Sequence, residues 1–77
     1  MEEHSAPIVY PLPSDDFVWV EGLQIAGSTG ALLNAQGVVL DTLSFRSDKQ
    51  KLPVSLLSPG LYFIRLEDGT ILKMIKK

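Results

Sequence analysis

The chain contains no cysteine, so neither a disulfide nor a thiolate metal site can staple a weak core, and the usual mark of an oxidising compartment is missing. Histidine is nearly absent too. His4 is its one representative, and ahead of Pro7 it reads as an exposed, idle side chain rather than a general base or metal ligand. Basic residues are few, seven Lys and Arg against nine Asp and Glu for a net charge of -2. No clustered basic face is available for a phosphate backbone, so nucleic acid is not an expected partner. No apolar run approaches the roughly 20 residues of a membrane span, so direct membrane insertion is not expected. No basic segment followed by an apolar stretch opens the chain. Apolar residues at helical spacing over a long window are also missing, which excludes an amphipathic helix.

What remains is a globular balance, 45% hydrophobic and 21% charged in 77 residues, enough for one domain that hides about 60% of its unfolded-chain surface. Met1 to Ala6 read as a linker or tag remnant, with any targeting segment expected upstream, and Pro7 to Lys77 as the domain. Nearly every segment has period two or is a short apolar run bounded by turn residues. Ile8-Val9-Tyr10 is a first strand closed by Pro11-Leu12-Pro13, whose fixed φ angles and missing donors belong at an edge. Phe17 to Val20 follows, then Leu23-Gln24-Ile25, a break at Gly27 to Gly30, and Ala31-Leu32-Leu33. Asn34-Ala35-Gln36-Gly37 reads as a hairpin loop into Val38-Val39-Leu40, with Gly37 in the left-handed conformation. Ser44 to Lys51 is expected as a loop and Leu52-Pro53-Val54 as an edge strand.

The end of the chain carries the sharpest signals. In Ser58-Pro59-Gly60-Leu61, Pro59 is preset for the second position of a type II turn and Gly60 for the positive φ of the third. Leu61 to Leu66 and Ile71 to Ile75 then flank Glu67-Asp68-Gly69-Thr70, expected as a type I′ turn with Asp68-Gly69 at its centre. Alternation places Tyr62, Ile64 and Leu66 against the core, partnered by Leu72 and Met74, with Leu61, Phe63, Arg65 and Glu67 on the opposite face. Thr70, Lys73 and Lys76 are left toward solvent. The fold expected is all-β, a small antiparallel immunoglobulin-like β-sandwich of about seven strands, with a partly open barrel as the competing architecture.

Catalytic chemistry has little to stand on, and no catalytic, cofactor or metal residue is assigned. Asp15-Asp16 and Glu67-Asp68 read as turn carboxylates that cap backbone amides. Gly27-Ser28-Thr29-Gly30 lacks the following helix and Lys-Ser/Thr pair of a phosphate cradle. Trp19, alone of its kind, is expected in the core rather than as a stacking platform. The closing lysines account for themselves by blunting a sheet edge.

Taken in order, these blocks resemble one family. Tyr10-Pro11-Leu12-Pro13-Ser14-Asp15-Asp16-Phe17 is similar to the Tyr-Pro-Asn-Pro opening of type A C-terminal sorting domains of the type IX secretion system, with Leu12 standing where the family has Asn. Ala31 to Val39 resembles the central strand, turn, Gly and strand of that family. Ser55-Leu56-Leu57-Ser58-Pro59-Gly60-Leu61-Tyr62-Phe63-Ile64-Arg65 resembles its Leu-x-x-Gly-x-Tyr block, and Asp68-Gly69 with Lys73-Met74-Ile75-Lys76-Lys77 its last hairpin and basic end.

The resemblance implies a non-catalytic signal at the C-terminus of a larger Bacteroidetes protein. Its partners would be the outer-membrane translocon, a shuttle protein and, in many members, a sortase-like protease that removes the domain while joining the cargo to lipopolysaccharide. The carrier would cross the periplasm to the cell surface or be secreted. Recognition residues expected on this basis are Gly60, Tyr62, Gly69, Lys73, Lys76 and Lys77, presented by the last hairpin. Pro11, Pro13, Gly37 and Pro59 are its structural positions. An unpaired edge would also let the isolated domain dimerise. The alternative function is an immunoglobulin-like accessory or carbohydrate-binding module, which would favour several exposed aromatics on one face.

Overall fold

The structure is a computed structural model that describes residues 7–11, 13, 15–22 and 25–77. The expectations for His4, the segment 1–6, Leu12, Ser14, Leu23 and Gln24 lie outside the described residues. Seven strands follow one another, β1 (Ile8–Tyr10), β2 (Phe17–Glu21), β3 (Thr29–Asn34), β4 (Val39–Ser44), β5 (Lys49–Pro53), β6 (Gly60–Leu66) and β7 (Ile71–Lys76), and no described residue is helical. They form a three-stranded sheet in the order β1-β2-β5 and a four-stranded sheet in the order β4-β3-β6-β7, antiparallel throughout. The expected sandwich is therefore the one observed, and an immunoglobulin-like arrangement is consistent with it.

Alternating side chains build the core between the sheets. Val18 and Val20 of β2, Ile64 of β6, Met74 of β7 and Val54 after β5 are the largest fully buried side chains. The expected cross-hairpin partners are in register, Tyr62 opposite Met74 and Ile64 opposite Leu72. Pro53 ends an edge strand, as its missing donor requires. Only 45–48 lie outside strands in the stretch 44–51, which corrects the expected long loop. Its polar residues instead continue β4 and begin β5, both edge strands that need few apolar side chains.

Two hairpins share one turn design. In the first, the Gly37 amide donates to the Asn34 carbonyl at 2.9 Å and the Asn34 amide to the Val38 carbonyl at 3.0 Å, with Gly37 at φ 85°. In the last, Gly69 donates to Leu66 at 2.9 Å and Leu66 to Thr70 at 2.8 Å, with Gly69 at φ 94°. Glu67 and Asp68 thus occupy the turn centre and Gly69 follows them, a three-residue loop with a glycine bulge in place of the expected type I′ turn. Side chains reinforce both loops: Asn34 Oδ1 accepts from the Gln36 and Val38 amides, and Asp68 Oδ1 from the Thr70 amide.

Candidate functional site

Beyond the β3–β6 ladder, side-chain hydrogen bonds of Tyr62 and Glu67 brace the final hairpin. Tyr62, near the start of β6, buries its ring and donates its hydroxyl to the Ser58 carbonyl at 2.6 Å, the arrangement known as a tyrosine corner in immunoglobulin-like domains. That bond replaces the expected type II turn: Gly60 has a positive φ, but at 150° it is already part of β6, far from the roughly +80° of such a turn. Glu67 does not cap its own turn. Its Oε1 accepts from the Thr29 amide at 2.8 Å and from Thr29 Oγ1 at 3.1 Å, clasping the hairpin end to β3. Asp68 does cap locally, and its bond from Thr70 holds its carboxyl below the ordinary value.

The expected recognition residues do not form one cluster. Lys73 stands on the outward face opposite Phe63, whereas Lys76 lies on the inward row opposite Gly60 and reaches the Lys77 carbonyl at 3.2 Å. Lys77 instead places its Nζ 3.7 Å from Asp15 Oδ2, an exposed pair worth little by itself. It does bring the chain end beside the Asp15-Asp16 block. Within that block the Asp16 carbonyl accepts from the Val54 amide at 2.8 Å. Tyr62 and Gly69 are parts of the scaffold that presents this surface. Pro11 follows a cis peptide bond from Tyr10, and Pro11, Pro13 and Pro59 are exposed.

Sequence reasoning missed what surrounds Lys73. The outward face of the four-stranded sheet carries the cross-strand row Val39, Leu33, Phe63 and Lys73, beside the row Thr42, Ala31, Arg65 and Ile71 and the pair Leu61 and Ile75. Ile71 is 53% exposed and Val39, Leu61 and Ile75 between 39% and 46%. The signal was present in the alternation, because Leu61 and Phe63 are large apolar residues that alternate with the core residues Tyr62 and Ile64. Among the described residues no third layer covers this face. Leu33 and Ala31 are themselves buried, and the exposed Val39, Leu61, Ile71 and Ile75, with Lys73 and Arg65 among them, form the kind of surface that marks macromolecular contact.

A second correction concerns Trp19. Val18 and Val20 point into the core, so the pleat turns Trp19 outward on the three-stranded sheet, half-buried with Phe17 at 6.0 Å in an edge-to-face pair. Lys49 Nζ lies 4.9 Å from the Trp19 ring centre and Lys51 Nζ 4.4 Å from that of Phe17. Tyr10, opposite Trp19, donates its hydroxyl to Glu21 at 2.5 Å, and this bond raises the phenol's pKa.

The family described as secretion system C-terminal sorting domain matches residues 8–77, from the first strand to the last residue. No solved structure and no curated protein matches the chain.

Proposed function

Because the chain belongs to the family of type IX secretion C-terminal sorting domains, we propose that it is the signal by which the outer-membrane translocon and its shuttle recognise a larger carrier protein. The carrier is thereby moved from the periplasm to the cell surface or the medium, and the domain itself performs no catalysis. One observation supports placing recognition on the final hairpin: its outward face joins Leu61, Phe63, Ile71 and Ile75 to Lys73 and Arg65 on the strand pair that ends the chain. Gly69 and Tyr62 act on this surface by fixing its geometry, while Lys76, on the inward row, and Lys77, beside Asp15, would be read separately at the chain end.

The test joins the domain to a reporter led by a secretory signal peptide, in a host with type IX secretion. Reporter outside the outer membrane is expected with the domain and periplasmic reporter without it; equal distributions would refute the reading. Deleting Lys73 to Lys77 is a poor probe of contact, since it removes the fully buried Met74. Lys73→Glu leaves the core intact and is expected to reduce export.

The row Tyr10, Trp19 and Phe17 favours a second reading as a saccharide-binding accessory module. Lysine amines compete there for the same ring faces. Glycan binding abolished by Trp19→Ala would establish it.

A further inference from the structure

The sandwich is closed on one flank and open on the other. β1 lies against β7, but among the described residues no Cα of β5 comes within 8 Å of one of β4 on the opposite side, where a three-stranded sheet faces a four-stranded one. The consequence is visible in β4. Asp41 pairs with the core residue Leu32 and so points toward the sandwich interior, yet it is exposed, and Leu43 is the one buried residue of the strand. A groove of about 270 Å³ runs there, floored by Leu32, Val54 and Leu57 and walled by Leu40, Asp41 and Leu56.

The edges differ in how they are guarded. β7 carries Lys73 and Lys76, and β5 carries Lys49, Lys51 and Pro53; both patterns discourage strand addition. β1 is three residues long and covered by β7. β4 has neither lysine nor proline, and Val38, Val39 and Leu40 run consecutively at 45% to 56% exposure beside Leu56 at 99%. An exposed apolar run of that kind costs solubility unless it has a use. A register shift where Leu33 pairs with Val39 and Leu32 with Asp41 leaves Leu40 as the extra residue, on the wall of the groove.

We propose that β4 accepts an extended polypeptide strand from a partner protein, with an apolar side chain seated in the groove and a basic one facing Asp41. Main-chain donors and acceptors along a free edge are matched by another strand, which is why the occupant is an extended peptide. Asp41 holds the place in its absence: its Oδ1 accepts the Thr42 amide at 2.9 Å, the bond a partner carbonyl would take over. The freed carboxylate then meets the partner's cation. A second copy fits less well, since antiparallel pairing of β4 with itself sets the two Asp41 carboxylates near the two-fold axis, where like charges repel.

The experiment titrates the 77-residue chain with an end-blocked peptide of alternating valine and lysine, followed by amide NMR and hydrogen exchange. Saturable shifts confined to 38–44 and 53–57, slowed exchange at Thr42, and an affinity at least about tenfold lower in Leu40→Lys or Leu56→Lys are expected. Both side chains are exposed enough for the variants to fold, which unchanged shifts elsewhere will verify. No saturable shift up to ~1 mM peptide, shifts centred on β7, or the same shifts appearing with protein concentration alone, as in a self-paired dimer, would each overturn the proposal.

Discussion

Replacing Tyr62 with phenylalanine removes one oxygen and, with it, the 2.6 Å bond to the Ser58 carbonyl. The ring is 8% exposed, so its apolar packing is retained and the change isolates the polar contact. A net hydrogen bond contributes about 0.5–1.5 kcal/mol, and a partly buried carbonyl left without its donor adds to the loss, so the expected cost is about 1–2 kcal/mol. For a domain of this size that lowers Tm by roughly 5–15 °C. Thermal unfolding followed by circular dichroism measures it directly, and Tyr10→Phe supplies the comparison because the Tyr10 hydroxyl meets Glu21 at an exposed site. The exposed bond is screened by water, so Tyr10→Phe should move Tm far less than Tyr62→Phe. A Tyr62→Phe midpoint within ~1 °C of the parent, or equal shifts in the two variants, would refute the assignment of Tyr62 as the anchor of the hairpin.

Met74 is fully buried opposite Tyr62, and Met74→Ala should cost about 2–5 kcal/mol, a large part of a small domain's stability, seen as a lower urea midpoint. At Gly30, between β4 and β6, an added Cβ would stand 2.7 Å from the Arg65 carbonyl oxygen and 3.2 Å from the Phe45 ring. Gly30→Ala should therefore destabilise by about 1–3 kcal/mol in the same assay, through backbone displacement. The Asp68 carboxylate, lowered by its bond from the Thr70 amide, contributes stability that is present above its ordinary value of 3.8 and lost as pH falls through the lower folded value. Melting Asp68→Asn across that acid range should show a weaker fall with pH than the parent, and an identical fall would remove Asp68 as a contributor.

Period-two alternation and turn chemistry determine much of this protein before any coordinates. From β6 onward the pattern assigns Tyr62, Ile64, Leu66, Leu72 and Met74 to the core, because strand geometry alone fixes which face each occupies. Gly37 and Gly69 mark their turns because a positive φ is local. The motif order likewise carries the family, since the matched span begins in the first strand and ends at Lys77. Turn type was less legible: Asp-Gly is compatible with two hairpin loops, and the register of β6 on β7 selects between them.

Other features depend on which strands become neighbours. Trp19 has the composition of a core residue, but a sheet offers two apolar faces and only packing decides which is covered; Val18 and Val20 took the inside. The terminal lysines look like one patch in the sequence, yet the pleat and the reach of Lys77 to Asp15 send them in different directions. Glu67 reads as a turn carboxylate until β3 brings Thr29 beside it. The open flank along β4 is a property of three strands facing four, a mismatch that no local pattern encodes. Alternation and turns are short-range and therefore written in the chain, whereas coverage of a face or an edge is set by distant segments and is decided by the tertiary structure alone.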